Sequence, residues 1–181
     1  MTHAVLALLE AGRLPEARAA VRGYETRFPA SADDARQLRW YVGWRSGERS
    51  GPCETPRPAH PDEAGYWWLE CRWASGETPG ALAPDLAAER ARASETLSLL
   101  GALEAELLGR RGRREEALVE ARRAFEAARD GAARSTLLRA HLDVVARRCA
   151  RAAEAAGRPD EAREARAELE RLARERRAAP R

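Results

Sequence analysis

The chain has 181 residues, 44% hydrophobic and 34% charged, with 32 basic against 29 acidic side chains and a formal net charge of +3. That apolar content can build a core and argues against disorder, while no apolar run approaches the ~20 residues of a membrane-spanning helix. The sequence contains no Lys, Asn or Ile, and Arg supplies every basic group. All three missing amino acids are coded by A/T-rich triplets, so the arginine excess reads as the mark of a G+C-rich genome. The isoelectric point near 9.1 loses most of its weight as a sign of nucleic-acid binding.

At the start, Met1-Thr2-His3-Ala4 places no basic segment ahead of an apolar core, and the run to Leu9 is too short for a signal peptide; a cytoplasmic location is expected. Stretches rich in Ala, Leu, Glu and Arg, all strong helix formers, alternate with glycine and proline punctuation. They predict helices over 3–11, 15–28 and 32–46. Four of the ten prolines then fall between Gly51 and Pro61, which imposes an extended loop over 51–61. Further helices are predicted over 62–75, 84–109, 113–130, 132–156 and 159–177. Nothing supplies the β-branched alternation of strands, so the expectation is one all-α domain over 1–181. Cys53, Cys71 and Cys149 are odd in number and widely spaced, which predicts reduced thiols. Cys53, His60 and Cys71 match no metal-ligand spacing, and no cofactor is expected.

One pattern recurs. Gly12-Arg13-Leu14-Pro15-Glu16-Ala17, Gly112-Arg113-Arg114-Glu115-Glu116-Ala117 and Gly157-Arg158-Pro159-Asp160-Glu161-Ala162 share Gly-Arg-x-x-Glu-Ala, with a weaker copy at Gly76. Glycine ends a helix in the left-handed conformation, proline or acid opens the next, and the small alanine lets the two helices approach. Helix-ending glycines at 12, 47, 76, 112 and 157 give spacings of 35, 29, 36 and 45, near the period of a stacked helix-turn-helix repeat. In these residues the chain resembles the tetratricopeptide repeat family of bacterial helical-repeat proteins. Gly12, Ala17 and Pro29 stand at the family's turn glycine, small alanine and helix-ending proline, while Gly112 with Ala117 and Gly157 with Ala162 match two of the three. Pro52 stands where the unit at Gly47 needs its alanine, and Pro84 interrupts the unit at Gly76. The resemblance implies an α-solenoid of antiparallel helix pairs, 3–28, 62–91, 93–130 and 132–177, stacked in a right-handed superhelix. It also implies a non-enzymatic adaptor, scaffold or regulatory subunit that takes a partner protein or peptide in its groove. Residues 93–177 resemble the repeat arrays attached to caspase-like proteases or bacterial transcriptional regulators, which makes a protease or a regulator the implied partner.

Of ten aromatic residues, seven lie between Trp40 and Trp73, as stripes at helical spacing. Such rings restore core volume beside Ala-rich helices or anchor a partner; Arg39, Trp40, Tyr66 and Trp67 are the candidate partner-binding residues. Residues 54–109 carry a charge of −6 and 110–151 a charge of +6. This offers the alternative of a homo-oligomer assembled by charge. Arg110, Arg111, Arg113 and Arg114 cluster without any nucleic-acid-binding motif, so nucleic acid is the least favoured partner. The three histidines are isolated, and His141 lies beside the seam Leu138, Leu142, Val145, Cys149. No catalytic residue and no enzyme activity are expected.

Overall fold

Four glycines end helices in the same way. Gly12, Gly76, Gly112 and Gly157 all have φ between +71° and +91°, a region nearly closed to residues with a Cβ. At each, the amide of the glycine bonds back three residues and the next amide bonds back five: Arg13 N–H to Leu8 O at 2.8 Å, Glu77 to Arg72 at 3.2 Å, Arg113 to Leu108 at 3.1 Å and Arg158 to Ala153 at 2.8 Å. This double bond pattern satisfies carbonyls that a helix end otherwise leaves open. The computed structural model describes residues 2–28, 32–45, 63–94 and 96–178; the loop expected over 51–61 and the turn at Gly47 lie outside them.

The described residues form α1 (Thr2–Glu10), α2 (Leu14–Arg27), α3 (Ala32–Arg45), α4 (Glu63–Ala74), α5 (Pro79–Arg92), α6 (Leu97–Arg110), α7 (Arg114–Gly131), α8 (Thr136–Ala155) and α9 (Pro159–Ala178). Among them there is no strand, as expected. The helix read over 84–109 is in fact two. α5 starts at Pro79, with the Thr78 hydroxyl accepting the Ala81 amide at 3.3 Å, and runs through Pro84. Proline this early costs the helix a single bond, to the Gly80 carbonyl. The chain then turns extended at Ala93 and restarts at Leu97.

In all three strong copies of the repeated motif the alanine is buried: Ala17, Ala117 and Ala162. Across the α6–α7 turn, a Cβ added to Gly109 would lie 3.9 Å from that of Ala117, so small residues set how closely these helices pack. The motif's arginine and glutamate also have a job that spacing did not show. Arg13 pairs with Glu16 at 3.0 Å, and Arg113 Nε donates to Glu116 at 2.6 Å, closing the first turn of α2 and of α7.

Helices adjacent in the chain pack on one another throughout the described residues, and α8 additionally packs on α6 and α1, α4 on α6, and α1 on α3. A strict nearest-neighbour stack makes no contact between its first and eighth helices. Here α1 returns onto α8, bringing Val5 and Leu6 into one core with Leu99, Leu103, Leu142 and Val145. α8 is the hub of that core, buried along almost its whole length.

Candidate functional site

Two of the four partner-binding candidates are in the interior. Tyr66 is fully buried and Trp67 is 4% exposed. Trp67 stacks on Tyr41 with ring centroids 5.3 Å apart, and Tyr41 and Tyr66 flank His141 at 4.9 and 5.6 Å. The aromatic stripe of α4 therefore fills the volume that its alanine-rich neighbours leave, and in this chain neither ring is presented to a partner. Trp40 is half-buried and packs against the same core. Arg39 is exposed and pairs with Glu25 of α2. It borders a separate hollow between α2 and α3 with Val21 and Val42, so the four candidates do not form one surface.

Around His141 lies a set of charges that the sequence reading missed. Arg45 at the end of α3 grips Asp143 of α8 with two bonds of 2.8 and 3.1 Å, and Arg147 adds a third at 2.6 Å. Arg148 clamps Glu70 of α4, with Nη2 at 2.8 Å, and its Nε donates to Glu106 of α6 at 2.6 Å. Paired, fork-like bonds of this kind are strong and directional. Burial tends to raise the Glu106 carboxyl, but Arg148 and Arg151 beside it outweigh that and hold it below the usual carboxylate range. Burial, reinforced by the Glu70 carboxylate, pushes the Tyr66 phenol well above its ordinary value. Burial first, and then the Arg45 charge, push His141 down to about 3. His141 stays neutral, its Nδ1–H donating to the Leu137 carbonyl at 2.8 Å. The available signal was a lone acid inside an apolar run: Glu70 follows Tyr66-Trp67-Trp68-Leu69, and Asp143 sits between Leu142 and Val144.

A second feature is open to solvent. Where α1 meets α7, α8 and α9, a cleft of about 450 Å³ has Ala7, Ala11, Leu142 and Leu172 as an apolar floor and Arg129, Arg139, Arg171 and Glu175 along its rim, Glu175 paired with Arg171. Arg129 reaches Glu164 at 3.0 Å, and Arg171 holds Glu168 at 2.9 Å, which fixes both guanidinium groups at the edge. The arrangement suits a segment that brings apolar side chains to the floor and carboxylates to the rim.

No family model, curated protein or solved structure matches the chain. Among the described residues no group of three His, Cys, Asp or Glu could hold a metal ion, and no helix is long and apolar enough to cross a membrane. The expectation of three reduced thiols is corrected at one position: Cys71 is disulfide-bonded, which neither cysteine count nor spacing revealed. Cys149 is a free, buried thiol, pushed up to about 11 by burial and then by Glu161.

Proposed function

We propose that the protein is a non-enzymatic, tetratricopeptide-like interaction module, an adaptor or regulatory subunit that binds an acidic, amphipathic segment of a partner protein. The observation that carries this reading is the cleft between α1, α7, α8 and α9, an apolar floor rimmed by three arginines and one glutamate, Glu175. The four glycine caps, the last three of them 36 and 45 residues apart, and the buried motif alanines support a tetratricopeptide-like solenoid of antiparallel pairs. In this reading the return of α1 onto α8 fills the inner face, and the binding surface moves from the aromatic break to the seam where the ends of the array meet.

Charge-driven self-association has less support. The acidic middle segment and the basic third quarter answer each other within the chain, through Glu70 with Arg148 and Glu106 with Arg148 and Arg151. Three of the four arginines in the cluster weighed for nucleic acid are similarly engaged: Arg113 pairs with Glu116, Arg111 donates to the Pro79 carbonyl, and Arg110 lies over the Trp73 ring.

The test is affinity capture from the source organism's lysate with wild type beside Ala11→Glu and Arg171→Ala, each checked by circular dichroism for intact helicity. A protein held by wild type and lost from both variants supports the cleft as the docking site. Equal capture by all three, or capture of nucleic acid alone, overturns it.

A further inference from the structure

On the other side of α8 from its apolar seam, the buried charge network reaches the surface at a second hollow. It measures about 190 Å³ and is lined, among the described residues, by Arg45, Arg147, Arg148, Arg151 and the apolar Val144. Its inner members are buried, with the Arg45 and Arg148 side chains 7% and 4% exposed. Its outer members, Arg147 and Arg151, are 60% and 62% exposed and stand one helical turn apart on α8.

The charges do not cancel. Among the described residues these four guanidinium groups meet three carboxylates. Asp143 is shared between Arg45 and Arg147, Glu70 is held by Arg148, and Glu106 is shared between Arg148 and Arg151. One positive charge is left over, at a place where two of the arginines are withdrawn from water and screening is weak. Donors are left over as well. Arg147 spends Nε and Nη2 on Asp143, which leaves Nη1 without a bond among the described residues. Arg151 approaches Glu106 only at 3.6 Å, longer than a hydrogen bond.

We infer that this hollow is a binding site for a small tetrahedral oxyanion, inorganic phosphate or the phosphate group of a small phosphomonoester. The guanidinium groups that line it come from the end of α3 and from one face of α8, and the open donors belong to Arg147 and Arg151, one helical turn apart, a span that a tetrahedral anion bridges and a planar carboxylate, satisfied by a single fork, does not. The volume holds several waters or one such anion. Asp143, Glu70 and Glu106 hold the inner guanidinium groups in place before any ligand arrives, so binding orders only Arg147 and Arg151. The site uses neither the floor nor the rim of the α1–α9 cleft and stands whether or not a protein docks there.

The experiment is isothermal titration calorimetry on the full chain at constant ionic strength, with inorganic phosphate, glycerol phosphate and acetate as separate probes. Proteins are wild type, the double variant Arg147→Gln/Arg151→Gln, and Arg163→Gln, an exposed arginine elsewhere. The double variant leaves the Arg45–Asp143 and Arg148–Glu70 pairs untouched, and its thermal midpoint reports whether the fold is kept. Expected are saturable binding of phosphate to wild type and to Arg163→Gln, no saturation with acetate, and at least about tenfold weaker phosphate binding in the double variant. Glycerol phosphate equal to or better than phosphate assigns the site to a phosphomonoester; phosphate alone assigns it to the free ion. No saturation with either, or binding unchanged in a folded double variant, overturns the inference. Equal loss in Arg163→Gln overturns it too, because the binding is then nonspecific charge.

Discussion

Glu70 and Arg148 lie 78 residues apart in the chain and face each other in the core, both almost wholly withdrawn from solvent, in a two-bond clamp between α4 and α8. Such a pair is costly to desolvate, and its main effect appears when one member is removed and the other is stranded. Glu70→Ala is expected to lower the unfolding free energy by roughly 3 kcal/mol in urea denaturation; Glu106 remains beside Arg148 and limits the loss. Glu70→Leu with Arg148→Met and Glu106→Gln, which removes the clamp without stranding the Glu106 charge, should recover most of it. A Glu70→Ala variant as stable as wild type would place the pair in solvent.

His141 gives the fold a pH dependence whose sign follows from burial. Its folded value is pushed down to about 3, against about 6.5 in an unfolded chain. Between those values the unfolded state binds the extra proton, so stability is present above about pH 6.5 and is lost as pH falls. The groups around the ring are Tyr41, Tyr66, Arg45, Asp143 and Arg148. Stability should therefore fall by about 2 kcal/mol from pH 7 to pH 5, and His141→Leu should abolish most of that slope. A slope that persists in the variant would assign the dependence to other groups.

What was legible in the sequence was local. A glycine that must take positive φ, and an alanine that must be small, are dictated by contacts within one turn, so Gly12, Gly76, Gly112 and Gly157 are helix ends and Ala17, Ala117 and Ala162 are buried, as read. The break at Ala93 carries no glycine or proline; helix-forming composition runs across it over 84–109, and only the repeat spacing, which divides the pairs 62–91 and 93–130, marks it. Contacts set by the return of α1 onto α8 leave no local trace, which is why the α1–α9 cleft is not legible in the sequence; the Glu70–Arg148 clamp leaves only the lone acid in the apolar run of α4, with nothing to name its partner 78 residues away. Tyr66 and Trp67 were misplaced for a different reason. An aromatic stripe at helical spacing has the same periodicity in a core as on a binding face, and only the packing of α4 against its neighbours decides between them.

The register of the α6–α7 hairpin can be tested at a single alanine. Ala117 is buried, and a Cβ built on Gly109 across the turn would already stand in van der Waals contact with it. Ala117→Trp should overpack this contact and cost ~1 to 3 kcal/mol, read as a lower urea midpoint. Val119, two residues along α7, is 55% exposed, so Val119→Trp adds the same bulk to solvent and should leave the midpoint within about 0.5 kcal/mol of wild type. Because the two substitutions sit on one helix and differ only in the face they occupy, any general effect of tryptophan on helicity cancels between them. If both midpoints fall together, or neither moves, α7 does not present Ala117 to α6, and the small-residue contact between these helices is assigned to the wrong face.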